Sequence, residues 1–262
     1  MNIQISDKKK KDIFVSLFQV LKNCSTLISA TFKPDKVHIQ GMDKSHVCLF
    51  DIVLDKSWFN GYEVIETTKL CFDSNVFHSV ISTKSDNQTL LIKTDANNNN
   101  NDIIHIHFIS NETKKGEFKK NFKINLAEYE YDEMNIPITE YDADFSLSSK
   151  QFSDMFSQLS NFGSDIIIKC SETEISFITT GVTGEMRVDI PVDDLSSYSI
   201  VEGEEITLTY SLDYINKMCI TNKLSSDIDF SLSNECPMKI NYTLGDNSSM
   251  VFFIAPKMNE NE

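Results

Sequence analysis

Apolar residues recur with two different periods along this chain, and the switches between them mark its elements. Over residues 7–23, DKKKKDIFVSLFQVLKN, the positions Ile13, Phe14, Leu17, Phe18 and Leu21 fall at helical spacing and form one stripe. Asp7 is placed to cap that helix, and Lys8, Lys11 and Lys22 lie on roughly the opposite face. From residue 27 the period drops to two. Residues 27–32 and 37–39, around the turn Lys33-Pro34-Asp35-Lys36, predict a hairpin. Strand patterns follow at 48–54 and 62–72, a short helix at 74–82, and strands at 89–94, 103–110 and 118–126. The asparagine run 97–101 predicts an insertion-tolerant hairpin tip.

The plan then repeats. Residues 150–161 carry Phe152, Met155, Phe156 and Leu159 on one helical face. Strands are predicted at 166–168, 175–178 and 184–192, a helix at 211–220, and strands at 227–232, 238–244 and 250–255. Phe14 and Phe152 hold matching places in the first helix of each half, 138 residues apart, which points to an internal duplication. The fold class is α+β, with helices on one face of largely antiparallel sheets.

Between the halves lies 126–142, LAEYEYDEMNIPITEYD. It carries Glu128, Glu130, Asp132, Glu133, Glu140 and Asp142 and no Lys or Arg. Pro137 removes a backbone donor and pushes Ile136 towards extended geometry. The stretch also holds Tyr129, Tyr131, Met134, Ile136 and Tyr141, apolar groups that a mere spacer does not need. It reads either as an extended connector docked on a surface or as a strand followed by a loop. The resulting division is 1–125 for a first domain, 126–142 for the connector and 143–262 for a second domain.

Charge sharpens the picture. The formal net charge is −15, so a nucleic-acid partner requires cations gathered on one face. No apolar run approaches membrane-spanning length, and the N-terminus has no signal-peptide core. Six scattered cysteines without a CxxC pair read as buried free thiols rather than a zinc site. No nucleophile elbow, phosphate-binding P-loop, dinucleotide turn or HExxH pair occurs. His105 and His107 share a strand face, as surface histidines or as half of a metal site. Asp142 and Asp144 read as solvated charge or as the acids of a metal-dependent hydrolase. Gly181-Val182-Thr183-Gly184 reads as a loop or a phosphate turn.

Four segments carry a resemblance. Gln40-Gly41-Met42-Asp43-Lys44-Ser45-His46-Val47 resembles the Q-x-M-D-x-S-H-V segment of the eukaryotic sliding clamps, the proliferating cell nuclear antigen family. Ile136-Pro137 through Glu140-Tyr141 resembles the family's I-P-x-x-E-Y, Leu159 to Gly163 its L-S-x-x-G, and Ala255-Pro256-Lys257 its A-P-K tail. All four stand in family order and span essentially the whole chain. The resemblance implies a homotrimeric DNA sliding clamp. Its helices line a hole around double-stranded DNA, sheets lie outside, and DNA polymerase and other replication and repair enzymes are tethered to it. It implies an ATP-dependent loader, no enzymatic activity and no cofactor. It also implies a nuclear location or, for a viral chain, a cytoplasmic replication site. The runner-up is a monomeric or heterotrimeric clamp of the same fold, including a checkpoint type.

The same resemblance assigns residues. Met42, His46, Val47 and Leu49, with Met134, Ile136 and Pro137 and with Pro237, Phe253, Ala255 and Pro256, match the cavity that accepts a client's short aromatic-anchored peptide. The DNA-facing cations are Lys8, Lys11, Lys22, His78, Lys84, Lys150, Lys217 and Lys223. Subunit contact falls on Phe118, Lys120, Phe122 and Ile124 of one strand and on Gly184, Met186, Val188 and Ile190 of another. Lys119, Lys120 and Lys123 would then face Glu185 and Asp189. Two departures stand out. Asp154, Ser157 and Asp213 occupy helix positions where the family usually has arginines, and Glu172 stands at the family's modification lysine.

Overall fold

The computed structural model describes residues 1–94, 102–110, 118–128, 133–219 and 221–257. The first half of the chain runs β1 (Asn2–Ile5), α1 (Lys8–Cys24), β2 (Leu27–Phe32), β3 (Lys36–Met42), β4 (Cys48–Asp55), β5 (Gly61–Glu63), β6 (Thr68–Asp73), α2 (Ser74–Ile81), β7 (Gln88–Thr94), β8 (Ile103–Ser110) and β9 (Lys120–Asn125). The second half runs β10 (Ala143–Ser148), α3 (Ser149–Leu159), β11 (Asp165–Cys170), β12 (Glu174–Gly181), β13 (Gly184–Pro191), β14 (Ser197–Ile200), β15 (Ile206–Ser211), α4 (Leu212–Met218), β16 (Asp227–Leu232), β17 (Met238–Gly245) and β18 (Ser248–Ile254). The order is the same element for element. Even the single 3₁₀ turn recurs after the fourth strand, at Lys56–Trp58 and again at Val192–Asp194.

Strand pairing repeats as well. In the first half five strands run β5-β1-β7-β8-β9 and four run β4-β3-β2-β6; in the second they run β14-β10-β16-β17-β18 and β13-β12-β11-β15. The registers given by Ile3↔Ile92, Ala30↔Ile39, Phe145↔Phe230 and Ile168↔Phe177 are all antiparallel. By compactness the chain forms two units, one of Met1–Gly41, Asp51–Met134 and Leu244–Met250, the other of Met42–Phe50, Asn135–Thr243 and Val251–Glu262. Strands β3, β4, β17 and β18 give residues to both, and β18 is the hydrogen-bonded neighbour of β4.

Each unit buries its helices' apolar stripe against strand side chains. In the first, Phe14, Phe18, Phe72 and Phe77 cluster, with Phe77 4.5 Å from both Phe18 and Phe72. In the second, Phe152 stacks on Phe156 at 3.8 Å, and Phe145 stacks on Phe230 at 4.9 Å. Burial of such rings dominates the driving force for each core.

The structure corrects several sequence expectations. Residues 62–72 are not one strand but two, β5 and β6, which belong to different sheets. The segment between them carries the fully exposed Ile65, so it cannot be the interior of a half-buried strand. Strands β1, β10, β14 and β15 were not anticipated. The first and third are only four residues long, and β10 buries Ser146, whose hydroxyl donates to Asp229 Oδ1 at 2.7 Å. The asparagine run 97–101 lies outside the described residues, as do Tyr129 and Tyr131.

The L-S-x-x-G stretch has a packing reason. A Cβ at Gly163 would stand 2.7 Å from Thr180 O, and one at Gly181 would stand 1.9 Å from Phe162 O. Two backbones therefore meet where only glycines let them. Gly181 and Gly184 thus flank the turn of the β12–β13 hairpin, with Val182 exposed at its tip.

Candidate partner-peptide site and subunit edges

The loop from Met42 to Leu49 is built around one buried carboxylate. Asp43 Oδ1 accepts the amides of Val47 (2.8 Å) and Cys48 (2.7 Å), and Oδ2 accepts that of Ser45 (2.9 Å). The Tyr214 hydroxyl of α4 adds a donor at 3.3 Å. An aspartate that gathers the next amides is the usual chemistry of such a turn. Burial would raise the Asp43 carboxyl, but these donors outweigh it and hold the group below its ordinary value. Asp43 N also donates to Cys48 O at 2.9 Å, closing the loop, and His46 takes a left-handed φ of 57°. His46 is exposed; Met42, Val47 and Leu49 are half-buried.

The C-terminal strand meets this loop directly. Ala255 N donates to Val47 O at 3.0 Å. Along β18, Phe252 and Ile254 point into the core, while Phe253 is half-buried on the other face with Ala255. Beyond them Lys257 N donates to Thr209 O, and its side chain pairs with Asp165 at 2.5 Å, so Pro256 lies between two fixed residues. Pro237 is exposed in the turn between β16 and β17. That turn is tied to the end of the connector: Asn234 N donates to Asp142 Oδ2 at 3.3 Å, and Asp142 N donates to Leu232 O at 2.9 Å. Asp142 is thus a turn-fixing carboxylate, and Asp144 is exposed on the neighbouring strand. Burial pushes the Tyr141 hydroxyl up to about 12, with Cys236 beside it.

Midway along the connector, Glu133 and Met134 are seated by side chains of β2 and β3. Gln40 Oε1 accepts Met134 N at 2.6 Å, and Gln40 Nε2 donates to Met134 O at 3.0 Å. A side-chain amide here pairs with one residue's backbone as a neighbouring strand would. Glu133 accepts from Thr31 at 3.1 Å and lies 3.5 Å from Lys33 and 3.4 Å from His38. The signal for Gln40 was present in the Q-x-M-D motif; nothing marked His38. Further along, Ile136 is half-buried, and Pro137 and Ile138 are exposed.

Strand β9 is the outermost strand of its sheet and β13 of its own. Phe118, just ahead of β9, is 74% exposed, and Phe122 and Lys120 are half-buried, whereas Ile124 is buried. On β13, Met186, Val188 and Ile190 are half-buried and alternate with exposed neighbours, among which Gly184 is also exposed. Asp189 already holds Arg187 Nε at 2.7 Å and the Ser176 hydroxyl at 2.6 Å, and Glu185 accepts from Thr180 at 3.2 Å.

The sequence-assigned cations divide. Lys11 is a correction: it is fully buried, and its ammonium donates to the carbonyls of Ser85, Asp86 (2.7 Å) and Gln88. Its stem follows the apolar stripe and its head closes the α2–β7 loop, so it does not face solvent. Lys8 is exposed and pairs with Asp86 at 2.6 Å; Lys84 pairs with Asp12. Lys22 Nζ lies 3.4 Å from His78 Nδ1, and burial followed by Lys22's charge lowers the His78 pKa. Lys150, Lys217 and Lys223 are exposed, with Lys217 over the Tyr214 ring at 5.2 Å. Asp154 and Asp213 are exposed on α3 and α4.

Among the described residues no cluster of three or more His, Cys, Asp or Glu is placed to hold a metal ion. His105 and His107 stack at 6.1 Å, and His107 Nδ1 lies 2.6 Å from Asn121 Oδ1. Five cysteines are buried, and Cys236 is half-buried.

Among the described residues, two copies of one unit of nine strands and two helices, with antiparallel pairing, define the duplicated clamp fold of DNA processivity factors. The family model described as "Proliferating cell nuclear antigen, N-terminal domain" matches residues 7–134, and the C-terminal domain model matches residues 135–257. The chain belongs to the proliferating cell nuclear antigen family and is a DNA sliding clamp. It is 26% identical over 231 residues to the proliferating cell nuclear antigen of Chaetomium thermophilum, covering 86% of this chain and 87% of that one. Over 264 residues it is 25% identical to proliferating cell nuclear antigen 1 of Plasmodium falciparum, covering 95% and 94%. The crystal structure of a PCNA2-PCNA3 complex from Sulfolobus tokodaii superposes with a TM-score of 0.85 at 21% identity, covering 98% of this chain and 99% of that one.

Proposed function

We propose that three copies of this chain close a ring around duplex DNA, with domains 1–125 and 143–262 joined by the connector 126–142. One observation carries the reading. Inside the chain β18, the ninth strand of its half, pairs with β4, the fourth strand of the other. The ninth and fourth strands left at sheet edges are β9 and β13. Pairing β9 of one copy with β13 of the next repeats between chains the junction already made within the chain. Such a head-to-tail contact generates a ring when its rotation closes. Backbone pairing with Phe122, Met186, Val188 and Ile190 would do most of the holding, since exposed ion pairs contribute little.

A closed ring retains DNA topologically, so loose phosphate contacts from Lys8, Lys22, Lys150, Lys217 and Lys223 are enough, and the duplex can slide. The loop Met42–Leu49, Ile136 and Pro137, Pro237 and the Phe253–Pro256 tail form the surface that takes a client's aromatic anchors. Methionine suits a lining that must fit several peptides, and buried anchors carry most of the binding energy. The clients are DNA polymerase and other replication and repair enzymes. An ATP-dependent loader opens the ring; the clamp itself hydrolyses nothing. It works in the nucleus, or at a cytoplasmic replication site if the chain is viral.

Light scattering tests the assembly. The account expects three times the 29.9 kDa chain mass, falling to one for Phe122→Asp. A monomeric wild type, or a variant that stays trimeric, would contradict it; a mass restored only with a second kind of subunit would indicate a heterotrimer.

A further inference from the structure

Glu133 and Met134 are where the connector seats on the sheet, and His38 sits at the centre of that contact. Its ring reaches a carboxylate from each nitrogen: Nε2 is 2.7 Å from Asp51 Oδ1, and Nδ1 is 3.4 Å from Glu133 Oε1. A neutral imidazole has one N–H and can donate to only one of them; an imidazolium donates to both. The groups around the ring are well defined. Thr31, directly across from His38 on β2, donates to Glu133, and Lys33 lies 3.5 Å from the other Glu133 oxygen. Gln40 donates to Asp51 Oδ1 at 3.2 Å while gripping Met134. Lys69 stands opposite Thr31 on β6 and is exposed. The patch therefore holds two acids, two lysines and one histidine between the acids. Only the histidine titrates near neutrality by its ordinary chemistry.

We propose that the His38 imidazolium is the clasp of the connector, bridging Asp51 on the sheet to Glu133 on the strap and so ordering the surface on which a client peptide lies. The consequence for clients rests on the peptide site proposed above; the clasp itself does not. The hydrogen bond to Asp51 outweighs burial, and the two carboxylate charges add to it, so the His38 pKa is raised. A group raised in the seated state contributes fully below its ordinary value near 6.5. That contribution is lost as pH climbs through the raised one. The connector is thus held most firmly in mildly acid solution and loosens as the solution turns alkaline. The Gln40 grip on Met134 is uncharged and persists, so the loosening is partial.

Hydrogen exchange on the full-length protein decides the matter. It is followed at residues 133–141 and normalised for intrinsic rates, at about pH 6 and about pH 8.5, either side of histidine titration. Protection of the Met134 amide should fall on the order of tenfold between the two in the wild type. His38→Gln, which stays neutral, should show weak protection at both. Equal wild-type protection at both pH values, or wild-type behaviour in His38→Gln, would overturn the clasp. Glu133→Gln keeps an acceptor but removes a charge, and should lower the His38 pKa read from its ring protons; an unchanged pKa counts against the bridge. A fluorescent peptide with two aromatic residues on one helical turn reads the consequence. Its affinity should fall with pH in the wild type and stay flat in His38→Gln. A peptide bound equally at both pH values in the wild type overturns the coupling. One that never binds contradicts the client site instead, and leaves the exchange data to judge the clasp.

Discussion

The first half of the chain closes its helices with aspartate; the second half does not. Asp7 accepts the Lys10 amide at 2.8 Å at the head of α1, and Asp73 accepts Asn75 and Val76 at the head of α2. Ser148 and Ser211 hold the same places before α3 and α4 and make no side-chain capping bond. Yet both halves reach the same strand order. The duplicated architecture is therefore set by apolar patterning, and capping is a local supplement. At α1 the cap meets a local need: the first turn is Lys8 to Lys11, with no acid, and cations at a helix N-terminus oppose the macrodipole.

The same contrast runs through the surface. The exposed face of α1 is basic, while α3 and α4 set Asp154 and Asp213 against Lys150 and Lys217. A ring built of such halves would present alternating basic and neutral arcs to DNA.

The comparison can be broken at four depths. The deepest cut is at the edges. Arg187→Pro in β13 removes a backbone donor that points away from β12, since Val192 N donates to Thr173 O and the ladder alternates from there, so it should abolish assembly and leave the monomer folded, by sedimentation and circular dichroism. Next come the matched rings. Phe14→Ala and Phe152→Ala should each cost about 3–5 kcal/mol in denaturant unfolding, because both rings are buried at the same place in equivalent cores. The caps then separate the halves: Asp7→Ala should cost about 1–2 kcal/mol and Ser148→Ala only about a few tenths. The smallest effect is electrostatic. Asp154→Lys with Asp213→Lys should strengthen DNA retention and steepen its salt dependence, measured as dissociation from DNA against salt concentration.

Much of this was legible in the order of residues. The helical stripes at Phe14 and Phe152 located α1 and α3, and the Q-x-M-D-x-S-H-V segment located the loop that Asp43 organises. Short strands were not legible. Asn2–Ile5 and Ser197–Ile200 give four residues of pattern each, and their pairing is fixed by strands far away in sequence. Lys11 looked like its neighbours because polarity says nothing about where a long stem ends; three carbonyls held by a distant loop decide that. His38 carried no signal either. Its role depends on Asp51 and Glu133, which the fold brings to it from 13 and 95 residues further along the chain.

The most direct test loads the clamp with its loader onto a closed circular duplex, and cuts the circle once. The account predicts long retention on the circle at moderate salt and prompt loss after cutting, as a ring slides off the new ends. Dissociation at the same rate from cut and uncut DNA would mean that the protein grips DNA rather than encircling it, and would contradict the account.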